Sequence, residues 1–358
     1  MRLSMEQYLK LAVPFLPPEL VSPQRLEPIL ALARKLPACS SSGFECRLGE
    51  PEPVADFLVN LLPSDGSRAA FAGHHPESQP EAAFLLSDVW QRVQGFCRDW
   101  DDPQGLLHSR VRDMWLEFDL KELEAQLPIP GVFFGPSTEP EELFGTLERC
   151  VGLLRGTTDT GLPPALRRCA ELLPPPPRID QVGMMFSRHS EELRLCIRGL
   201  TPRALGGYLA QAGWSGRTEE LEAIVETLVP FVDDVTLDID VAESVRPKVG
   251  LECILDKAPS PERWRRWLDD LVARGLCTAG KRDGMLAWIG VSTQRSQPEL
   301  WPENLVRASQ RTPGLISGFQ RRINHLKLVH QPGQPLQVKA YLAFRHMWVR
   351  TAPGAAPA

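Results

Sequence analysis

The chain has 358 residues, of which 43% are hydrophobic, and this is enough apolar material for one large domain or two ordinary ones. Its 40 Lys and Arg residues against 45 Asp and Glu residues give a formal net charge of −5, which argues against a dedicated nucleic-acid-binding protein. No run approaches the roughly 18 apolar residues of a membrane span, and residues 1–20 indicate a first helix rather than a signal peptide.

The eight cysteines occur singly, without any CxxC pair. Such spacing is typical of reduced thiols that are buried in the core as small hydrophobic side chains. Reduced thiols belong to a reducing compartment, so we expect a cytoplasmic protein.

Helical periodicity recurs along the chain. Several of these segments open with Ser or Thr, then Pro, then Glu, which is an N-cap followed by a first-turn proline and an acid at the positive end of the helix dipole. The predicted helices cover residues 24–36, 80–98, 139–155, 201–212, 217–229 and 260–274.

Five pairs of strand-like runs alternate with these helices, and Pro, Gly, Ser and charged residues lie at the predicted turns. The pairs are 43–48 with 55–62, 110–120 with 131–135, 181–187 with 192–199, 234–241 with 247–255, and 323–330 with 336–348. Residues 279–320 mix a short helix pattern with polar loop, and Pro174–Pro177 reads as a stiff connector inside the repeat.

The repeated αα-ββ order predicts an α+β fold with an antiparallel sheet, because a parallel sheet would need the βαβ order. Ten strands with all helices on one face avoid exposed edges by closing. We therefore expect a ten-stranded antiparallel β-barrel surrounded by helices, with a single domain over residues 1–350 and a disordered tail over residues 351–358.

Strict alternation along the predicted strands separates an apolar face from a charged face. With the apolar face under the helices, Cys253 is predicted to lie in the core and Cys196 to point inward. The predicted inward face collects six acids and seven Lys or Arg residues, which must form ion pairs or surround water and a polar ligand. Its members are Glu45, Arg47, Trp115, Glu117, Asp119, Arg194, Arg198, Thr236, Asp238, Asp240, Lys248, Glu252, His325, Lys327, Gln337, Lys339, Tyr341 and Arg345.

This arrangement resembles the soluble aromatic prenyltransferases of the ABBA or PT-barrel type, in which basic and tyrosine residues alternate along lumen-facing strands. The best match is the segment QVKAY at 337–341, in which Lys339 and Tyr341 lie about 7 Å apart on one face. The segments at 246–248 and 194–198 match less well. The chain departs from the family at Gly250, where the pattern would place a tyrosine two residues after a lysine.

The resemblance implies transfer of an isoprenoid from an allylic diphosphate co-substrate to an aromatic or peptide side-chain acceptor in natural-product biosynthesis, without a metal ion. It implies that inward Lys, Arg and aromatic residues bind the substrates and that glutamates accept the proton from the acceptor. The implied substrate-binding residues are Trp115, Arg194, Arg198, Lys248, Lys327, Lys339, Tyr341 and Arg345, and the implied catalytic residues are Glu45, Glu117 and Glu252.

A second interpretation stays open. The near balance of inward acids and bases also suits a barrel that binds or modifies a peptide or a small polar metabolite without diphosphate chemistry. The sequence contains no GxxxxGK[ST], GxGxxG, HExxH or GxSxG motif, and Asp238 and Asp240 form at most a two-carboxylate Mg²⁺ site.

Overall fold

The computed structural model describes residues 4–75, 78–137, 139–157, 161–174, 178–188, 190–255, 260–312 and 314–350. The predicted tail at 351–358 lies outside the described residues, and so does most of the predicted connector at Pro174–Pro177. The assignment of residues 1–350 to one domain stays a prediction.

The strands and helices alternate along the chain much as their periodicities predict. The strands are β1 (Ser41–Arg47), β2 (Ala55–Leu61), β3 (Val111–Phe118), β4 (Gly131–Pro136), β5 (Ile179–Met185), β6 (Leu193–Ile197), β7 (Asp234–Val241), β8 (Val245–Ile254), β9 (Gly290–Thr293), β10 (Leu315–His330) and β11 (Gln337–Arg350). The helices are α1 (Met5–Ala12), α2 (Pro23–Lys35), α3 (Ser67–Ala72), α4 (Asp88–Asp101), α5 (Leu120–Leu123), α6 (Leu143–Arg155), α7 (Pro164–Glu171), α8 (Leu205–Ala212), α9 (Thr218–Leu228), α10 (Pro261–Ala273), α11 (Ala279–Trp288) and α12 (Glu303–Arg311).

Ten strands form a closed antiparallel barrel, as predicted. Strands β1 to β8 follow one another around the barrel in chain order, β10 pairs with β8, and β11 pairs with both β10 and β1. The last pairing closes the sheet and satisfies the edges that an open sheet would leave exposed. The short strand β9 lies outside this closed set and pairs only with the first half of β10, over residues 318–321.

For residues 279–320 the sequence predicts a short helix and polar loop, and the prediction of polar loop is wrong. This segment contains α11, β9 and α12, and β10 begins within it, at Leu315. The alternation along β10 changes phase at an irregularity between Ile323 and His325. A bulge of this kind interrupts the period of two, so the pattern before the bulge does not continue the pattern after it.

The predicted division into an inner and an outer face is confirmed. Leu193, Leu195 and Ile197 of β6 and Leu237 and Ile239 of β7 are fully buried in the core between the barrel and its helices. Two tryptophans of α10 pack into the same core, where the rings of Trp264 and Trp267 stack with centroids 5.9 Å apart. At about 25 cal/mol for each Å² of apolar surface buried, this layer is the main stabilising contribution to the fold.

Close contact between the first and last barrel strands depends on Gly43 of β1. A Cβ atom at this position would come within 2.4 Å of the carbonyl oxygen of Leu342 on β11.

All eight cysteines are buried and unpaired, with Cys253 in the core, as predicted. None of the helices in the described part of the chain combines the length and the hydropathy that crossing a bilayer requires.

Candidate functional site

The inner face of the barrel lines two adjacent cavities in the described structure. The wide chamber has a volume of about 590 Å³, and the narrow chamber has a volume of about 110 Å³. Four charged residues line both cavities and therefore lie at the boundary between them: Glu117, Arg194, Asp238 and Lys327.

Every site residue that the sequence predicts lines one of these chambers, with the exception of Arg345. The wide chamber is lined by Trp115, Glu117, Arg194, Arg198, Glu252, Lys327 and Tyr341, and the narrow chamber by Glu45, Glu117, Arg194, Lys248, Lys327 and Lys339. Arg345 is exposed, and its Nε donates a hydrogen bond to Oε1 of Gln320 at 3.3 Å. It therefore lies apart from the other ten.

Aromatic rings line the wide chamber. Trp115, Phe133, Trp264 and Tyr341 all face it. The ring of Phe133 covers Gly183 on the neighbouring strand, where a Cβ atom would lie 2.3 Å from the ring. His325 stacks on Tyr341 with ring centroids 4.2 Å apart. These rings form an apolar wall whose π faces can stabilise a nearby cation.

Five cationic side chains line the narrow chamber: Arg188, Arg194, Lys248, Lys327 and Lys339. Arg188 was missed by the sequence interpretation, because it lies in a short 3₁₀ turn directly after β5, within a predicted turn. It donates two hydrogen bonds to Asp119, at 2.6 and 3.0 Å. Asp119 was predicted on a strand face, and it directly follows β3.

Lys339 and Tyr341 converge on a single anionic group, and that group is Glu45 of β1. The Lys339 ammonium donates a hydrogen bond to Oε1 of Glu45, and the Tyr341 hydroxyl donates one to Oε2. Burial alone would raise the pKa of Glu45, but the Lys339 ammonium and these two hydrogen bonds outweigh it and hold that pKa at about 2. Glu45 is therefore ionised at neutral pH.

A second ion pair joins β6 to β7 and β8. Nε and Nη2 of Arg194 donate to the two oxygens of Asp240 at 2.7 and 3.0 Å, in a bidentate pair. The Lys248 ammonium lies 3.3 Å from the same carboxylate. Burial would raise the pKa of Asp240, yet the two cations lower it to about 2.

Lys327 links β10 to β7 and β8. Its ammonium contacts Oδ2 of Asp238 and lies 3.6 Å from Oε1 of Glu252. Gly250 makes this possible, because a Cβ atom there would lie 2.6 Å from Cε of Lys327 and 3.1 Å from Cβ of Asp238. At Gly250 the sequence departs from the prenyltransferase pattern, and the missing side chain there leaves the space that the Lys327 side chain occupies.

Glu117 and Asp238 are the buried carboxyl groups with raised pKa values at the boundary between the two chambers. Burial is the larger cause for both, and repulsion from neighbouring carboxylates adds to it. The pKa of Glu117 rises to about 8 next to Glu45 and Asp56, and that of Asp238 rises to about 6 next to Glu252. Glu117 is therefore mainly protonated at pH 7, which leaves three ionised carboxylates facing the five cations of the narrow chamber.

Two buried polar atoms that line the wide chamber have no hydrogen-bond partner in the described structure. Oδ1 of Asp238 and Nε2 of His325 are buried and lack a hydrogen-bond partner. Burial is the main cause that lowers the pKa of His325 to about 3, so the ring is neutral. Nδ2 of Asn324 can only donate to Nδ1 of this ring, at 3.1 Å, so the remaining ring proton lies on Nε2, which is 3.7 Å from Oε1 of Glu252.

Two sets of three groups are close enough to share one cation. They are Cys196 with Asp238 and Glu252, and Glu45 with Asp56 and Glu117, with all ligand atoms of each set within 4.8 Å of one another. The ammonium groups of Lys327 and Lys339 already contact these sets. Both sets therefore have a cation supplied by the protein itself.

Solved structures with the same architecture are prenyltransferases. The prenyltransferase PriB in its ternary complex with L-tryptophan and dimethylallyl thiolodiphosphate is 13% identical and has a TM-score of 0.53, with 94% of this chain and 96% of that chain covered. PriB in its binary complex with product diphosphate is 13% identical, with a TM-score of 0.50 and coverages of 94% and 93%. The 5-dimethylallyl tryptophan synthase of Streptomyces coelicolor is 15% identical, with a TM-score of 0.48 and coverages of 96% and 95%.

Comparison with protein-family models and with curated proteins found no match. At 13% identity, the likeness to PriB extends to the fold and not to individual residues. The closed ten-stranded antiparallel barrel and its surrounding helices match that likeness over nearly the whole chain. The chain therefore has the PT-barrel fold of the aromatic prenyltransferases.

Proposed function

We propose that this protein transfers an isoprenoid from an allylic diphosphate to an aromatic or peptide side-chain acceptor, as part of a natural-product pathway. The observation that carries the proposal is that a narrow chamber with five cations lies next to a wide chamber with aromatic walls. The diphosphate of the donor fits the first chamber by charge. Its allylic chain and the acceptor fit the second by polarity and volume.

The first step breaks the bond between the allylic carbon and the diphosphate oxygen, and the electron pair leaves with the diphosphate. Lys248, Lys339 and Arg194 would stabilise the charge that develops on this leaving group. Tyr341 and Trp115 face the adjoining chamber, where their rings would stabilise the allylic cation. The proposal assigns the charge stabilisation to side chains and needs no metal ion.

The second step forms the bond between the allylic carbon and the acceptor, which then loses a proton to a base. Glu252 faces the wide chamber and is the proposed base. Glu117 is mainly protonated, so it would donate a hydrogen bond to the diphosphate instead. Both oxygens of Glu45 are occupied, which makes this residue the anchor of Lys339 and Tyr341 rather than a base.

One observation favours the second interpretation. Arg194, Lys248, Lys327 and Lys339 each contact a carboxylate of the protein, so an incoming diphosphate would compete with these ion pairs. A ligand with both an acidic and a basic group could insert into the same pairs at a lower electrostatic cost. A peptide or a small zwitterionic metabolite would satisfy this requirement without any diphosphate chemistry.

Calorimetric titration with dimethylallyl diphosphate and geranyl diphosphate separates the two functions. Lys248→Met is the informative variant, because the Lys248 side chain is 39% exposed and has its only described ion pair with Asp240. We expect it to weaken diphosphate binding by about tenfold, as loss of a charge-assisted hydrogen bond does. Lys10→Met is the matched control, since Lys10 lies on α1 and pairs with Glu6.

Mass spectrometry of the protein incubated with a donor and a panel of aromatic and peptide acceptors tests the transfer itself. The expected product is the acceptor plus one isoprenoid unit, together with free diphosphate. Absence of binding by every allylic diphosphate would rule out prenyl transfer and leave the zwitterionic ligand as the better hypothesis.

A further inference from the structure

Cys196 of β6 differs from the other seven cysteines in its surroundings. Those seven belong to the hydrophobic core, whereas Cys196 lies outside the core cluster and lines the wide chamber. Only 5% of the residue is exposed. A sulfur nucleophile therefore faces the chamber in which the proposed function places an allylic cation.

The position of Cys196 along β6 lies next to the site of the proposed ionisation. Arg194 and Cys196 are two residues apart on one strand, so their side chains leave the same face about 7 Å apart. Arg194 lines both chambers, and Cys196 lines the wide chamber beside it. The allylic carbon is bonded directly to the diphosphate, so a diphosphate held at Arg194 would place this carbon near Cys196.

Two carboxylates lie beside the thiol. Cys196 is opposite Asp238 in the register of β6 and β7, and its Sγ lies within 4.8 Å of one carboxylate oxygen each of Asp238 and Glu252. Asp238 is 3% exposed, and its Oδ2 contacts the ammonium of Lys327. Oδ1 of Asp238 is buried and has no hydrogen-bond partner in the described structure. This oxygen is therefore available to accept a proton released by the sulfur.

The surroundings of Cys196 disfavour ordinary thiol chemistry. Burial raises the pKa of the thiol well above its usual range, and the charges of Asp238 and Glu252 raise it further. Reagents such as iodoacetamide react with the thiolate, so they should modify Cys196 slowly at neutral pH. An allylic cation is electron-deficient and can accept the lone pair of a neutral thiol.

We propose that Cys196 is an internal acceptor, which captures the allylic cation in the wide chamber and becomes a thioether. The bond between the allylic carbon and oxygen breaks with its electron pair on the diphosphate, and a lone pair of Sγ forms the new carbon–sulfur bond. The S–H bond then breaks, and its proton passes to Oδ1 of Asp238. The thioether fills space in the wide chamber, so internal capture competes with transfer to the external acceptor.

This inference rests on the proposed function for the natural source of the cation, but the capture itself can be tested with another source. Dimethylallyl bromide forms the same cation by solvolysis, without any contribution from the protein. Wild-type protein is treated with the bromide at pH 7 and digested, and the eight cysteines are compared by mass spectrometry. We expect Cys196 to carry a dimethylallyl group at least about tenfold more often than any of the seven core cysteines. If Cys196 is not preferred, the inference is wrong, whatever the diphosphate does.

Two controls separate capture of the cation from simple accessibility. Cys196→Ala should lose the label, whereas Cys253→Ala, which changes a core cysteine on β8, should be labelled at Cys196 like wild type. Iodoacetamide at the same pH should modify at most about a tenth of the Cys196 that the bromide modifies. Equal modification by both reagents would indicate an accessible thiolate and contradict the inference. The peptide map of the wild type identifies the site even if a variant does not fold.

A last experiment replaces the bromide with dimethylallyl diphosphate, in the absence of an external acceptor. Release of free diphosphate measures ionisation, and the label at Cys196 measures capture. We expect both in wild type, and release without the label in Cys196→Ala. Labelling of Cys196 by the bromide with no reaction of the diphosphate would contradict only the proposed function. Release of diphosphate by wild type without a label at Cys196 would contradict only the inference about Cys196.

Discussion

Replacement of Lys339 by methionine tests whether the lumen cations are part of the folding energy of the barrel. Glu45, the partner of Lys339, is only 2% exposed, and its two oxygens accept hydrogen bonds from Lys339 and Tyr341. Lys339→Met leaves a buried carboxylate with one hydroxyl donor and no ammonium in contact. The variant should therefore be less stable than wild type at neutral pH.

The magnitude follows from the pKa of Glu45. This pKa is about 2, against an ordinary value of 4.5, and a difference of about 2.5 pKa units corresponds to about 3 kcal/mol of stability. Lys339 supplies the largest favourable contribution, with Tyr341 and Lys327 next. Because burial opposes ionisation once the ammonium is gone, we expect Lys339→Met to lower the free energy of unfolding by roughly 3 kcal/mol at pH 7.

The loss should depend on pH in a definite direction. The folded-state pKa of Glu45 is depressed, so its stabilising contribution is fully present above about pH 4.5 and disappears as the pH falls towards 2. In the variant, burial dominates and the pKa of Glu45 rises above 4.5, so the penalty grows between that pH and neutrality. The difference between variant and wild type should therefore shrink as the pH falls from 7 to 4.

Urea denaturation at pH 7 and pH 4 measures these free energies of unfolding. Glu45→Gln in the Lys339→Met background removes the stranded charge and should restore most of the lost stability. The control Lys10→Met removes an ammonium that is 54% exposed on α1 and should cost less than about 1 kcal/mol. A loss below about 1 kcal/mol for Lys339→Met, or no recovery in the double variant, would refute the reasoning.

Three further changes probe the lumen and its support. Gly250→Ala places a Cβ atom 2.6 Å from Cε of Lys327, so it should weaken the contact of Lys327 with Asp238 and lower the melting temperature by several degrees. An unchanged melting temperature would show that the Lys327 side chain can reach Asp238 by another path. Lys281→Met strands three carbonyl oxygens that its ammonium binds at 2.5 to 2.8 Å, so urea denaturation should show a loss of about 3 kcal/mol without any change in ligand affinity. Glu117 has a pKa raised to about 8, so the folded protein loses stability as the pH rises from 4.5 to 8. Glu117→Gln should therefore have a higher melting temperature than wild type at pH 9 but not at pH 4. An equal gain in melting temperature at both pH values would contradict this reasoning.

The barrel could be predicted from the sequence because the alternation of apolar and charged residues is a local property of each strand. Alternation along each strand identifies the inner face without knowledge of the partner strand, and Cys196 and Cys253 lie on the faces that the alternation predicts. The same reasoning placed Glu117, Lys327 and Lys339 in the lumen. It failed over residues 279–320, where the bulge in β10 interrupts the alternation and the short strand β9 pairs outside the closed barrel.

Cationic residues outside the strand pairs were not predictable in the same way. Arg188 lies in a turn after β5 and reaches the narrow chamber from there. Arg321 precedes the bulge in β10, in a part of that strand for which the sequence predicts no strand. For both residues, the position of the side chain depends on backbone geometry that has no periodic pattern.

The sequence alone determined the closed αα-ββ barrel, the face that each strand turns inward, and the large number of charged residues on that face. The tertiary structure alone decided which of those charges pair. Lys339 meets Glu45 across 294 residues of chain, and Lys327 meets Asp238 across 89. Periodicity fixes the direction of a side chain within its own strand, but ion pairing depends on the register between strands that closure of the barrel brings together. Which lumen cation pairs with which carboxylate therefore appears only in the folded molecule.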